Sequence, residues 1–218
     1  MALFQRSRLP NIITVGRMVL TPIVYVLLFV PTFTARFIAW LVFLAAAFSD
    51  LWDGYLARKH GWISDFGKLL DPIADKLLLV ATFVPFYLIS RTGAPDAELP
   101  VLGTLPLWIV LVIFGREALV TGLRSYAARG GIVIAAGSSG KLKAVFQNIF
   151  IGTTIFWYAL QSAAHDHGWS GMLWERWQIF HGTVFLLTLA VAVWLTVYSL
   201  GIYLYEWRRL LRAATPGS

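Results

Sequence analysis

The chain has 218 residues, of which 58% are hydrophobic and only 13% charged, and its mean hydropathy is +0.71. Soluble domains carry about 25% charged residues, so this balance excludes an ordinary soluble protein and points to a single helical membrane domain. The absence of cysteine removes disulfides, thiolate metal sites and cysteine nucleophiles.

Taken in order, residues 1–10 carry Arg6 and Arg8 among apolar residues and end at Pro10, a juxtamembrane segment suited to lying on a membrane surface. A cleavable leader is not expected, because Arg17 interrupts the following apolar run and no small-residue site succeeds Val30. Six spans are predicted, at about 11–31, 36–58, 67–90, 100–127, 141–163 and 178–206. The expected fold is therefore all-α, with six transmembrane helices filling residues 11–207 and a short basic tail at 208–218. Residues 91–99 and 164–177, rich in turn formers or polar groups, read as loops, and Gly130, Gly131, Gly137 and Gly140 frame the link between spans four and five. No internal repeat is evident. Trp169, Trp174, Trp177 and Trp207 near span ends read as interfacial anchors, and Asp65 as a cap for the third helix.

The net charge of +7 suggests nucleic acid until the basic residues are sorted by side. The termini and the links on their side hold Arg6, Arg8, Arg58, Lys59, Lys68, Arg124, Arg129, Lys141, Lys143, Arg208, Arg209 and Arg212, whereas the opposite side holds Arg36, Arg91 and Arg176. This positive-inside bias places both termini in the cytoplasm, and no nucleic-acid partner is needed to explain the charge. Spans two and four repeat one pattern: Phe37 to Ser49 and Leu99 to Phe114 contain no Lys, Arg, Asp or Glu, and such residues follow only toward the cytoplasmic side. Asp50 lies about 12 Å along a helix from Arg58, which sets the acids in the cytoplasmic third of the bilayer.

The stretch Ser49 to Lys76 concentrates the chemistry. At about 100° per residue, Asp50, Asp53, Gly54, Ala57 and Arg58 share one helix face, and Gly67, Asp71 and Asp75 share a face of the next. The short polar link Lys59 to Phe66 makes the two helices antiparallel neighbours. Charged groups in spanning helices are costly and mark function. Four facing carboxylates call for hard divalent cations, Mg²⁺ or Mn²⁺, and two such ions would balance them and clamp a phosphoryl displacement. The small residues admit a bulky head group to the backbone, and Arg58 suits a phosphate.

The pattern Asp50-Leu-Trp-Asp53-Gly54-x-x-Ala57-Arg58, eight residues, Gly67-x-x-x-Asp71-x-x-x-Asp75 resembles the signature of the CDP-alcohol phosphotransferases, with every defining position filled. The resemblance implies that family's six-helix fold, two divalent ions on Asp50, Asp53, Asp71 and Asp75, and CDP contacts from Asp53, Gly54, Ala57, Arg58 and Gly67. It further implies Asp75 as general base, direct attack and a homodimer. Leu9-Pro10-Asn11-Ile-Ile-Thr14-x-x-Arg17, Leu70-Asp71-Pro72-x-Ala74-Asp75-Lys76, Arg116-Glu117 with Arg124, and Gly140-Lys141-x-Lys143-x-x-x-Gln147 are similar to family members of bacterial inner membranes that join CDP-diacylglycerol to glycerol 3-phosphate. An acceptor bearing a phosphate dianion needs further cations, and Arg116, Arg124 and Lys143 are placed to supply them.

Plainer readings stand beside these. Gly54 and Ala57 also fit small-residue packing. Arg58 also fits snorkelling, Arg116 a pairing with Glu117, and Arg124 and Lys143 simple anchoring. Arg17 is expected to be paired within the protein, Lys76 to be structural, and His165-Asp166-His167 to be a solvated loop. Other acceptors remain open, namely inositol phosphate, phosphatidylglycerol or serine. A divalent-cation transporter is the rival from another class, and it would set its carboxylates near the midplane.

Overall fold

The computed structural model describes residues 9–60, 65–129 and 138–214. They form six helices: α1 Leu9–Leu28, α2 Phe33–His60, α3 Asp65–Ile89, α4 Leu107–Arg129, α5 Ser138–His167 and α6 Met172–Ala214. Among the described residues there is no strand, only an isolated bridge between Leu99 and Gly103. Three helices are long and apolar enough to cross a membrane, over Asn11–Leu28, Leu70–Ile89 and Met172–Arg209, and α2 adds a shorter apolar run, Phe33–Ser49. Large apolar side chains such as Ile12, Val19, Leu111, Leu187 and Trp194 lie exposed on the helices, as expected where lipid rather than water is the solvent. The chain is an integral membrane protein.

The helix ends have local causes. The last turn of α1 tightens through Phe29 N–H to Val26 O and Val30 N–H to Leu27 O, and Pro31 follows. Thr32 then caps α2, its Oγ1 accepting from Ala35 N and its carbonyl from Arg36 N. The fourth helix starts later than the predicted residue 100. Pro100 and Pro106 bracket a tight turn in which Leu99 and Gly103 exchange both backbone bonds, with Val101 at φ 63° and Gly103 at φ 65°. A positive φ is strained for a β-branched residue, so this turn is held by its surroundings. One of them is Gly182, where a Cβ would sit 3.1 Å from Val101 Cγ2.

The loop expected at 164–177 also contracts, because α5 runs on to His167 and α6 begins at Met172. The true stop is Gly168 at φ 62°, with Trp169 N–H bonded back to Ala164 O at 2.9 Å. That is the left-handed glycine cap of a helix end; the polar residues read as loop form the last, exposed turn. At 43 residues, or about 65 Å at 1.5 Å per residue, α6 is far longer than a bilayer core requires.

The described residues fall into two compact units, those within 1–105 and 151–182 and those within 106–150 and 183–218, with one boundary just before α4 and the others inside α5 and α6. In the first unit α1 packs on both α2 and α3. Phe43, Phe83, Phe86 and Tyr158 are fully buried, the Trp40 and Phe156 rings meet at 4.9 Å, and Gly152 leaves room for the Phe43 ring. The second unit has its own cluster of Val120, Ala127 and Tyr203, lined by Leu123, Leu200 and Trp207.

The first unit also buries an ion pair absent from the sequence expectation, which had counted Arg36 only as a charge on the sparse side. Arg36 Nη1 donates to Asp96 Oδ2 at 2.6 Å, to Ser162 Oγ at 2.7 Å and to Tyr158 O at 3.3 Å, while Ser162 Oγ donates to Asp96 Oδ2 at 3.0 Å. Arg91 Nη1 to Leu105 O, Leu105 N to Ser90 Oγ and Trp157 Nε1 to Glu98 O complete the pinning of the loop after α3. Removing one member of a buried pair costs about 3–5 kcal/mol, because the other is left uncompensated. Asp96→Ala is therefore expected to lower unfolding stability in detergent by that order. A loss below about 1 kcal/mol would mean that Arg36 is not sealed from water.

Candidate active site

Gly67, Asp71 and Asp75 stand at four-residue steps on α3, so they form one row along its surface. The row faces α1. Thr14 Oγ1 donates to Asp71 Oδ1 at 2.8 Å, and Arg17 Nη1 donates to Asp75 Oδ1 at 2.8 Å. Thr14 and Arg17 are themselves three residues apart, hence neighbours on one face of α1. Both contacts advance in the same direction along both helices, so α1 and α3 run in the same sense.

The burial of this pairing is lopsided. Arg17 is 1% exposed and Asp75 59%. The guanidinium thus approaches from the protein interior while the carboxylate opens outward. Thr14 is buried beneath the partly exposed Asp71 in the same manner. Arg17 is paired within the protein, as its depth in an apolar span requires.

Asp50, Asp53, Gly54, Ala57 and Arg58 lie in α2, but their side chains are outside the described residues, as are those of Asp65 and Lys68. Among the described residues no group of three or more His, Asp or Glu is placed to hold a metal; only two of the four motif aspartates belong to that set. Those two fit a divalent cation by donor chemistry: hard carboxylate oxygens one turn apart, backed from inside by hydrogen-bond donors and open on the other side.

In the second unit, Glu117 accepts from Arg116 Nη1 at 2.9 Å and from Lys143 Nζ. Arg116 and Lys143, expected to bind an acceptor's phosphate, are brought together there, whereas Arg124 is exposed on α4. Sequence reasoning named Glu117 only as a possible partner of Arg116 and did not foresee that it bridges both cations. It quoted Gln147, one turn beyond Lys143 on α5, within a family-like stretch but gave it no place among the site residues. Gln147 is 4% exposed, and its Nε2, like Arg116 Nε, is buried with no hydrogen-bond partner among the described residues. The available signal was the four-residue step from Lys143 to Gln147.

His165, Asp166 and His167 are exposed at the end of α5. Trp177 is part of an aromatic group with Phe156, Phe180 and His181. That contact adds packing to its expected place near a helix end.

Similarity to known proteins bears on this arrangement. The family described as CDP-alcohol phosphatidyltransferase matches residues 7–198. A protein of Mycobacterium tuberculosis named probable phosphatidylglycerophosphate synthase is 38% identical over 149 residues, covering 67% of this chain and 65% of its own length. The matched part thus spans just under two thirds of that relative. The CDP-diacylglycerol–glycerol-3-phosphate 3-phosphatidyltransferase of Bacillus subtilis is 35% identical over 159 residues, covering 67% of this chain and 76% of the relative. A plant relative, CDP-diacylglycerol–glycerol-3-phosphate 3-phosphatidyltransferase 2 of Arabidopsis thaliana, is 32% identical over 213 residues, covering 94% and 82%. With the family match reaching across most of its length and including the whole acidic motif, the chain belongs to the CDP-alcohol phosphatidyltransferase family.

Proposed function

We propose that the protein transfers a phosphatidyl group from CDP-diacylglycerol to sn-glycerol 3-phosphate, releasing CMP and forming phosphatidylglycerophosphate. The observation that carries this reading is the acidic row on α3, with Asp71 and Asp75 held from α1 and opening away from it, at the spacing of the family motif. The names borne by the relatives support the choice of acceptor.

Asp50, Asp53, Asp71 and Asp75 would hold two divalent ions, Mg²⁺ or Mn²⁺. When bound, these ions supply charge neutralisation to the pyrophosphate and its leaving group. Asp75 takes the proton of the acceptor hydroxyl. The freed oxygen then forms a bond to the phosphorus bearing diacylglycerol as the bond from that phosphorus to the CMP oxygen breaks. Asp53, Gly54, Ala57, Arg58 and Gly67 hold the CDP moiety, and Arg58 offsets the charge of the departing CMP. Arg116, Lys143 and the more exposed Arg124 bind the phosphate of glycerol 3-phosphate. Buried donors without partners carry a desolvation cost. The oxygens of a phosphate would relieve it at Arg116 Nε and Gln147 Nε2, which supports an anion site there.

The reading includes six spans, both termini and the reacting groups toward the cytoplasm, and a homodimer in a bacterial inner membrane. The parallel sense of α1 and α3 and the basic residues at one set of span ends support that topology.

The test is CMP release from CDP-diacylglycerol with each acceptor in turn. Glycerol 3-phosphate is expected to react and serine, phosphatidylglycerol and inositol phosphate to fail; reaction with serine alone, the acceptor without a phosphate, contradicts the anion site. Asp75→Asn is expected to lower turnover by roughly 10²–10⁴-fold, the range of a general base, in protein that remains folded and inserted. Near-natural turnover removes Asp75 from that role. Chelation with EDTA is expected to abolish CMP release, and excess Mg²⁺ or Mn²⁺ to restore it; release that survives chelation contradicts the metal assignment.

A further inference from the structure

We propose that Thr14 and Arg17 of α1 are positioning residues for the metal-binding carboxylates of α3, fixing Asp71 and Asp75 from behind so that their open sides face the cation. This inference rests on the metal reading above and concerns side chains that the reading leaves without a role.

Three observations carry it. First, each α1 donor reaches one aspartate of the acidic row, and both bonds are 2.8 Å long. Second, the spacing matches. A three-residue step on α1 meets a four-residue step on α3, rises of about 4.5 Å and 6 Å, and the longer side chain of Arg17 spans the difference. Third, burial divides the partners. Thr14 and Arg17 are each 1% exposed, whereas Asp75 is 59% exposed. Were the pair there only to join two helices, both partners could be sealed, as Arg36 and Asp96 are. Here only the donor side is sealed.

Outer partners of this kind hold a ligating oxygen in one orientation before the cation arrives. Their loss typically weakens metal binding by roughly 10–100-fold. A guanidinium suits Asp75 because it stays charged in a buried place and donates in a fixed plane. A hydroxyl suffices for Asp71, since Thr14 already lies directly against it. The segment Leu9 to Arg17 therefore acts as the rear wall of the acidic row, in addition to starting the first span.

The test is Mn²⁺ binding, followed by the electron paramagnetic resonance signal of free Mn²⁺, to the purified full-length protein and to Arg17→Met, Arg17→Lys and Thr14→Val. Unfolding temperature without metal is measured in parallel. Arg17→Met is expected to bind Mn²⁺ roughly 10–100-fold more weakly, Arg17→Lys to fall between it and the natural protein, and Thr14→Val to show a smaller weakening. A role confined to helix packing would lower the unfolding temperature and leave the Mn²⁺ affinity of the folded variants at its natural value, and that result overturns the proposal. Tighter binding by Arg17→Met also overturns it, because it would make the guanidinium a competitor of the cation. Should Arg17→Met not fold, Arg17→Lys and Thr14→Val decide the matter by the same criterion. If the natural protein itself binds no Mn²⁺, the metal reading fails together with the inference; if it binds and the folded variants match it, the inference alone fails.

Discussion

A charged side chain set in an apolar helix has to find its counterpart within the protein, since hydrocarbon offers no water to solvate it. That constraint accounts for three polar clusters among the described residues. Arg17 meets Asp75, with Thr14 on Asp71 beside it; Arg36 meets Asp96 and Ser162; Glu117 meets Arg116 and Lys143. The first two lie in one compact unit and the third in the other. Elsewhere the helix contacts are largely aromatic and aliphatic, and small residues such as Gly152 set the approach distance.

The clusters differ in what they leave open, and this difference separates structural from chemical roles. Arg36 and Asp96 are both sealed, and Arg36 Nη1 bonds to Asp96 in the loop after α3 and to Tyr158 and Ser162 of α5. Such a pair fixes a connection and is closed to solvent on both sides, although Arg36 Nε is itself buried without a hydrogen-bond partner among the described residues. Asp75 is exposed beside a buried donor, which leaves the carboxylate accessible from outside. The Glu117 cluster leaves buried donors at Arg116 Nε and Gln147 Nε2 without partners among the described residues; in the reaction proposed above they would meet the oxygens of the acceptor's phosphate. Within the reaction proposed, a cation site and an anion site of these kinds are the two parts that the chemistry demands.

Much of this was legible in the sequence, for reasons that can be named. Long apolar runs announce helices whatever their partners, and all six appear within a few residues at most ends. The motif aspartates stand at helical spacing, so the row on α3 could be drawn before any coordinates. The failures came where an end is set by backbone conformation or a contact by distant residues. Polar His165 to His167 looked like a loop, but helices stop where a residue can adopt positive φ, and here that is Gly168. The turn before α4 is closed by Leu99 and Gly103 and packs against Gly182, a contact no local pattern encodes. Arg36 and Asp96 are 60 residues apart, and nothing in either neighbourhood names the other. Glu117 was placed correctly on its helix, yet its link to Lys143 crosses between helices.

The central claim is that carboxylates from α2 and α3 jointly hold divalent cations, with α1 behind the α3 pair. Crystals of the full chain grown with Mn²⁺ and CDP, measured at the manganese absorption edge, test it most directly. The account predicts anomalous peaks within coordination distance of oxygens from Asp50 or Asp53 on one helix and Asp71 or Asp75 on the other. Peaks located elsewhere, or carboxylates of the two helices facing apart with no manganese between them, would contradict it.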